Sequence, residues 1–176
     1  MPSPSHNRTG TLPCGVPVTI LLAALLLLPL PVAARELADR VLVDKSERRL
    51  YLYRKQTLLA AFPVAFGANP RGHKQQEGDE RTPEGRYVLD YRKADSAYYK
   101  SIHISYPAAR DIAAAKKRGV PPGGFVMIHG QRNGFGWAAF LTQRFDWTNG
   151  CIALRNADME VVWQSVQAGT PIEIRP

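Results

Sequence analysis

The chain has 176 residues, enough for one ordinary domain and not comfortably for two. Hydrophobic residues make up 45% and charged residues 22%, which is the balance of a folded globular protein and excludes a mainly disordered one. The net charge of +8 suits anionic surroundings, but the densest basic run is only residues 116–118, so the sequence carries no nucleic-acid-binding signature.

The first 34 residues differ in character from the rest. Residues 18–28 are almost wholly apolar, two prolines follow, and residues 32–34 place small side chains at −3 and −1 of a cleavage site. The apolar run is shorter than the roughly 20 residues that span a bilayer. We therefore expect residues 1–34 to be a signal peptide, with export to the periplasm or cell wall. An uncleaved anchor is the alternative, because Arg8 is the single basic residue before the run. Membrane contact is expected only through this segment.

The two cysteines fall on opposite sides of the expected cleavage site. Cys14 lies in the signal segment, so the domain expected over residues 35–176 holds one thiol, Cys151. Most structural cysteines of exported proteins are paired in disulfides. A lone exported cysteine is a buried bystander, an intermolecular bridge or a reactive thiol.

Seven short segments predict β-strands, because they alternate apolar and polar residues or are rich in aromatic and β-branched ones. In chain order they are residues 40–44, 50–53, 58–66, 86–91, 101–106, 125–129 and 171–174, and residues 152–154 are expected to continue inward after Cys151. Pro63 predicts that the third strand is an edge or carries a bulge. Residues 67–85 contain four glycines and two prolines, which predicts a long functional or flexible loop. His73 in this loop is expected to be solvated.

Two segments predict helices. Residues 107–117 are alanine-rich, start with proline and end in two lysines, with Gly119 as the stop. Residues 157–168 follow Asn156, a favourable N-cap, and Gly169 closes them. The predicted fold class is therefore mostly β (α+β), with two short helices.

Two segments carry side chains suited to nucleophilic chemistry. One ends a predicted strand in His129, and the other places Gly150 before Cys151. A cysteine nucleophile needs a base, and an imidazole at the end of a rigid strand is a suitable one. The glycine would let the backbone turn sharply and aim N–H groups at one point, as an oxyanion hole does. Alone, a Cys and a His 22 residues apart is a weak signal.

Together these segments resemble the L,D-transpeptidase catalytic domain, a family that crosslinks or edits bacterial peptidoglycan. Its His-Gly pair matches His129-Gly130, and its Ser/Thr-x-Gly-Cys-apolar motif matches residues 148–152. A Gly-x-x-x-Thr-Pro-x-Gly stretch matches residues 78–85. The run Asp-Trp-Thr-Asn-Gly-Cys-Ile-Ala is similar to one branch of the family. The similarity covers about residues 41–174.

The resemblance implies a β-sandwich-like domain with its site at one end. It implies that Cys151 forms a thioester with a peptidoglycan stem peptide and that His129 accepts and returns the proton. The backbone around Gly130, Asn149 and Gly150 would form the oxyanion site. The histidine beside the thiol is expected to lower the thiol pKa, because an imidazolium stabilises the thiolate. No cofactor is implied, and a metal site is not expected, because the histidines lack ligand spacing.

The chain departs from the family pattern at two positions. Asn149 stands where many members have histidine, and Ala153 stands where many have arginine or asparagine. Substrate recognition is therefore expected from other side chains, namely Thr148, Arg132, Arg144, Arg155 and His103. Trp147 is read as a packing anchor, with a substrate platform as the alternative.

Three functions stay open on these residues. The first is an L,D-transpeptidase that passes the thioester to an amine acceptor. The second is a hydrolase on the same scaffold, an L,D-carboxypeptidase or an amidase. The third is a non-catalytic peptidoglycan-binding module, against which the intact Cys151 and His129 argue.

Overall fold

The computed structural model describes residues 36–176, so the predicted signal segment over residues 1–34 lies outside the described part. Its eight strands are β1 (Arg40–Asp44), β2 (Arg49–Arg54), β3 (Thr57–Pro63), β4 (Gly85–Ser96), β5 (Tyr99–Ile104), β6 (Met127–His129), β7 (Ile152–Ala153) and β8 (Thr170–Arg175). Its helices are α1 (Ala109–Arg118), α2 (Ala139–Thr142) and α3 (Asn156–Ser165), and a 3₁₀ turn over Gly136–Ala138 precedes α2.

The strands form one curled mixed sheet in the order β3-β2-β1-β8-β4-β5-β6-β7. Strands β1 to β3 are an antiparallel meander, and β4 to β6 are a second one. The last strand, β8, lies between them, parallel to β1 and antiparallel to β4. The mostly-β prediction is confirmed. Continuity through β8 makes the sheet a single curved layer, and α2 is a third short helix that the sequence did not predict.

One face of this sheet forms the hydrophobic core. Alternate residues of β1, β2 and β8 point inward, as the period of two requires. Helix α3 packs on this face through Met159 and Val162, which are fully buried. Deleting a core side chain, as in Leu52→Ala, is expected to cost about 2–5 kcal/mol. The core fixes the ends of β6 and β7, from which the site is built.

The predicted strands are all present, but β3 ends at Pro63 rather than residue 66 and β4 extends to Ser96 rather than residue 91. Strand β3 is the outermost strand and ends at Pro63, as predicted for an edge.

Helix α1 ends at Gly119, which adopts the left-handed conformation with φ of 68°. Helix α3 ends at Ser165 with Val166 as its C-cap, so the predicted end at Gly169 was wrong. Asn156 is not the N-cap of α3. Arg155 occupies that position, because the Asn156 side chain accepts a hydrogen bond from the Gln131 N–H at 2.8 Å.

The loop over residues 67–85 is organised around one carboxylate. Asp79 accepts hydrogen bonds from backbone N–H groups of Gln75, Gln76 and Arg81, and from the buried Lys74 ammonium at 2.8 Å. These bonds hold residues 74–81 of the loop together.

The expectation that His73 is solvated was wrong, because the loop folds back over it. Its Nδ1 accepts a hydrogen bond from the Glu84 N–H at 2.9 Å, and its Nε2 lies 3.3 Å from Asp111.

Within residues 36–176, no helix combines the length and apolar character needed to cross a bilayer.

Candidate active site

His129 ends strand β6 and is buried. Its Nδ1 lies 2.6 Å from the Gly130 carbonyl oxygen. Because a carbonyl only accepts, Nδ1 carries the proton and Nε2 keeps its lone pair. Burial lowers the pKa of His129 and outweighs the Gly130 carbonyl, which raises it. The imidazole therefore rests neutral, with Nε2 able to accept a proton.

Cys151 immediately precedes strand β7. Strand β7 runs parallel to β6, and the register pairs Ile128 with Ile152 and His129 with Ala153. Cys151 therefore lies beside Met127, two residues before His129 on the neighbouring strand. The thiol sulfur accepts the Met127 N–H at 3.3 Å and lies 3.7 Å from the Phe125 carbonyl oxygen. No hydrogen bond recorded among the described residues joins it to His129.

The resting thiol is protonated. Burial raises the pKa of the Cys151 thiol and outweighs the Met127 N–H and the Lys74 charge, which lower it. This direction is opposite to the one expected from the sequence. The expectation assumed an imidazolium beside the sulfur, whereas the buried imidazole of His129 is neutral.

A cavity of about 500 Å³ opens beside the two side chains. Its lining is Ser96, Tyr98, Ser101, Gly124, Phe125, Val126, Met127, His129, Trp147, Thr148, Asn149 and Cys151. Among the described residues that line it there is no arginine or lysine. A substrate oxygen bound here would meet neutral donors rather than a cation.

The turn before Cys151 is fixed by Thr148. Its hydroxyl donates to the Cys151 carbonyl at 2.7 Å and accepts the Gly150 N–H at 3.1 Å. Gly150 has φ of 118°, and a Cβ there would lie 2.6 Å from the Arg81 carbonyl oxygen. Glycine is therefore required for both conformation and space. Thr148 acts on the shape of this turn as well as lining the cavity.

Two of the backbone N–H groups expected in an oxyanion site are already engaged. The Gly150 N–H donates to Thr148, and the Gly130 N–H donates to the carbonyls of Tyr98 and Lys100 at 3.1 and 3.3 Å. Asn149 is exposed and lines the cavity. Of the three positions, Asn149 is therefore the one that can offer a group to a ligand without breaking one of these bonds.

Two buried polar atoms of the cavity lining lack a hydrogen-bond partner. They are the Trp147 indole Nε1 and the Ser101 hydroxyl, and Ser101 is only 2% exposed. Ser101 lies directly opposite His129 in the β5–β6 register, and the Trp147 ring centre is 5.9 Å from the His129 ring. An unsatisfied buried donor costs roughly 1–3 kcal/mol, so these atoms are suited to a bound acceptor. Trp147 therefore faces the cavity as well as packing.

The remaining predicted substrate contacts lie elsewhere. Arg155 is held by Asp158 through two bonds of 2.7 and 3.1 Å. His103 Nδ1 lies 2.7 Å from Asp90. Arg132 and Arg144 are exposed on the segment between His129 and Cys151 and are outside the cavity lining. Of the predicted substrate contacts, Thr148 alone lines the cavity.

Phe125 is a site residue that the sequence reading missed. It is 80% exposed and has φ of 54°, a strained conformation for a bulky side chain. It separates the cavity from a second groove of about 420 Å³, which shares Gly124, Phe125 and Asn149 and is lined further by Lys74, Glu77, Gly78, Glu80 and Gly123. The preceding Pro-Pro-Gly-Gly run was its only sequence signal.

A thiol and a neutral imidazole beside one cavity, on a curled β-rich domain, are the parts of a site for acyl transfer. The model of the YkuD family, the L,D-transpeptidase catalytic domain, matches residues 38–174. The chain therefore belongs to the L,D-transpeptidase catalytic-domain family.

Among residues 36–176, no cluster of three or more His, Cys, Asp or Glu side chains is placed to hold a metal ion.

Relatives and solved structures agree with this family. YafK of Escherichia coli K12, which carries an L,D-transpeptidase name, is 36% identical over 110 residues. The helical cell shape determining protein Pgp2 of Campylobacter jejuni is 28% identical, with a TM-score of 0.59 over 79% of this chain. L,D-transpeptidase 3 of Mycobacterium tuberculosis, at 13% identity and a TM-score of 0.53 over 79% of this chain, shares the fold.

The relatives are longer than the matched region. The alignments cover 59% of this chain and 43% of YafK, 48% of the Pgp2 chain and 61% of the mycobacterial one. The comparisons thus concern the catalytic domain.

Proposed function

We propose that this domain is a cysteine-dependent L,D-transpeptidase that forms a thioester with a peptidoglycan stem peptide and passes it to an amine acceptor. The observation that carries the proposal is that Cys151, just before β7, and His129, on the adjacent strand β6, line one open cavity. The family membership supports the substrate class. The likeness to Pgp2 supports a role in cell shape.

The first half of the reaction starts from the neutral pair. Cys151 Sγ attacks a peptide carbonyl carbon while its proton moves to His129 Nε2. The new imidazolium is stabilised by the Gly130 carbonyl oxygen at Nδ1. The C–N bond then breaks, and the imidazolium gives its proton to the leaving amine. The enzyme is left as a Cys151 thioester with His129 neutral again.

The second half repeats these proton transfers in reverse. An acceptor amine loses a proton to His129 as its nitrogen attacks the thioester carbonyl. The C–S bond breaks and Cys151 regains its proton. The groove beyond Phe125 and Asn149 offers a second approach to the site, which suits a reaction with two substrates. In the hydrolase alternative, water takes the place of the amine.

Substrate positioning falls to neutral donors in this proposal. Trp147 and Ser101 line the cavity, and the indole N–H and the hydroxyl have no partner. In this proposal they bind a carbonyl or carboxylate oxygen of the stem peptide. This assigns to them the recognition that the sequence reading placed on Arg132, Arg144 and Arg155.

Defined muropeptides test the proposal directly. Purified residues 35–176 would be incubated with them and the products identified by mass spectrometry, with Cys151→Ala as the control. Crosslinked dimers are the expected product. Trimmed monomers would favour the hydrolase alternative. Binding of the muropeptides without formation of any product would favour the non-catalytic peptidoglycan-binding module.

Export is part of the same proposal. It rests on the apolar run over residues 18–28 and on the small residues before Arg35. N-terminal sequencing of protein from the envelope fraction should start at Arg35. An intact Met1 on soluble protein inside the cell would contradict it.

A further inference from the structure

The segment between His129 and Cys151 presents large apolar side chains to solvent. Trp137 is 74% exposed and Phe140 is 68% exposed. Phe135, Leu141 and Phe145 are also exposed. Monomeric proteins rarely leave such a contiguous apolar patch without a binding role. None of these five side chains lines the catalytic cavity.

The spacing of these residues is that of an outward-facing helical stripe. The 3₁₀ turn runs directly into α2, so Trp137, Phe140 and Leu141 follow one another at i, i+3 and i+4, and Arg144 lies in the turn just after the helix. The opposite side of the same turns is anchored by Ala139, which is buried. Because Ala139 packs inward, the apolar side chains on the other side of the segment face solvent.

The charges carried by the segment itself are all of one sign. Residues 130–145 contain Arg132 and Arg144 and no aspartate or glutamate. The next acid, Asp146, is turned inward, where it accepts the Phe66 N–H at 2.8 Å and pairs with Arg48. Arg132 lies over the Phe135 ring at 5.8 Å, so a cation sits directly against the aromatic surface.

We propose that this surface, formed by Arg132, Phe135, Trp137, Phe140, Leu141, Arg144 and Phe145, docks the domain on an anionic lipid bilayer. Trp and Phe side chains occupy the interfacial region of a bilayer, and arginines at its rim pair with anionic headgroups. A second copy of this chain fits less well, because a symmetric contact would bring the arginines of both copies together. This contact is separate from any made by the N-terminal segment.

Docking would have a consequence for the site. The surface begins three residues after His129 and ends six residues before Cys151, so it is carried by the connection between the two. A domain held through this segment would present its catalytic cavity to substrates at a lipid surface. The proposal does not depend on which acyl acceptor the enzyme uses.

Vesicle sedimentation tests the docking. Residues 35–176 contain all eight strands and the core of one compact unit, and they exclude the apolar run over residues 18–28. This part should co-sediment with vesicles of phosphatidylcholine mixed with phosphatidylglycerol, more weakly with phosphatidylcholine alone, and with a blue shift of tryptophan fluorescence. Rising salt should weaken the anionic component.

Matched variants separate the apolar and the charged contributions. Trp137→Ser/Phe140→Ser should lower vesicle affinity at least ten-fold, whereas Leu58→Ser/Ile112→Ser, which changes two exposed apolar residues elsewhere, should not. Arg132→Gln/Arg144→Gln should lower it roughly 10- to 30-fold on anionic vesicles. Lys116→Gln/Lys117→Gln removes the same charge from α1 and should have little effect.

Three results would overturn the proposal. One is the absence of binding to anionic vesicles by the unmodified domain. Another is binding that Trp137→Ser/Phe140→Ser leaves unchanged while circular dichroism shows the variant folded. The third is a concentration-dependent dimer that this variant dissociates without any vesicle binding, which would assign the surface to a second copy of the chain.

Discussion

Cys151 and His129 are both buried enough to disfavour their charged forms. In the proposed mechanism His129 accepts the Cys151 proton as the sulfur attacks the substrate carbonyl. General acid–base assistance is typically worth 10² to 10⁴-fold in rate. The proposal therefore predicts that turnover requires the imidazole although the resting thiol is protonated.

The pH dependence of thiol alkylation follows from this burial. The pKa of Cys151 is raised in the folded state, so the alkylation rate should inflect above the roughly 8.5 of free cysteine. His129→Ala should shift this inflection little, because the imidazole it removes is neutral. Rates measured with iodoacetamide in native buffer and in urea provide the comparison. An inflection well below 8.5 in the native protein would mean a preformed thiolate–imidazolium pair.

Trp147 is expected to act through its N–H group. Trp147→Phe keeps a ring in the cavity wall and removes a buried donor without a partner, so the free energy of unfolding should fall little. Loss of a substrate hydrogen bond worth about 1–3 kcal/mol should lower kcat/KM roughly 5- to 150-fold. Trp163→Phe, on α3 and outside the cavity, is the control. Equal activities of the two variants would exclude the indole N–H from substrate binding.

At the scale of single elements, the turn before Cys151 depends on one glycine. Gly150→Ala would place a Cβ 2.6 Å from the Arg81 carbonyl oxygen, in addition to straining φ. Gly169→Ala has a similar φ strain, but nothing lies within 4 Å of its Cβ. Both should lower the free energy of unfolding by about 1 kcal/mol or more, and Gly150→Ala by clearly more. Urea unfolding measures this difference, and equal losses would contradict the close approach.

The loop over residues 67–85 has its own pH signature through Asp79. Burial raises the Asp79 pKa, but the Gln75, Lys74, Arg81 and Gln76 hydrogen bonds outweigh it and leave the pKa lowered. A lowered folded-state pKa contributes stability that is present above the unfolded value of roughly 3.9 and is lost as pH falls through the folded one.

Asp79→Asn should remove that contribution. It leaves the Lys74 ammonium buried without its carboxylate, which should cost roughly 3–5 kcal/mol at neutral pH. Its stability should then fall less steeply than that of the unmodified domain below about pH 4. Asp95→Asn, at an exposed carboxylate, is the control. Chemical unfolding at a series of pH values measures the free energy of unfolding of each variant. The same pH dependence in Asp79→Asn and Asp95→Asn would contradict the role given to Asp79.

At the scale of the whole molecule, local patterns were enough to predict the strands, whereas the roles of Cys151 and His129 stay a prediction. The alternation in β1, β2 and β8 marks their buried faces, and the His129 and Cys151 motifs stand at strand ends. Position along the sheet was not predictable, because β8 joins two meanders through contacts between residues more than 80 apart in sequence. Helix α2 was missed because its apolar residues face solvent rather than the core.

The substrate contacts were the least predictable part. Charge alone nominated Arg132 and Arg155, but the fold pairs Arg155 with Asp158 and leaves Arg132 on the exposed stripe. Ser101 and Trp147, the donors proposed to bind substrate, are recognisable only because they line the cavity and have buried polar atoms without a partner. Such a property depends on packing and has no signature in the sequence.

The most direct test of the account is intact-mass spectrometry of residues 35–176 during reaction with a muropeptide donor. A transient mass increase should map to Cys151, be absent in Cys151→Ala, and form at least about 10²-fold more slowly in His129→Ala. Both variants should melt near the temperature of the unmodified domain. Turnover retained in Cys151→Ala, or acylation of His129→Ala at the unmodified rate, would contradict the assignment of these two residues as nucleophile and base.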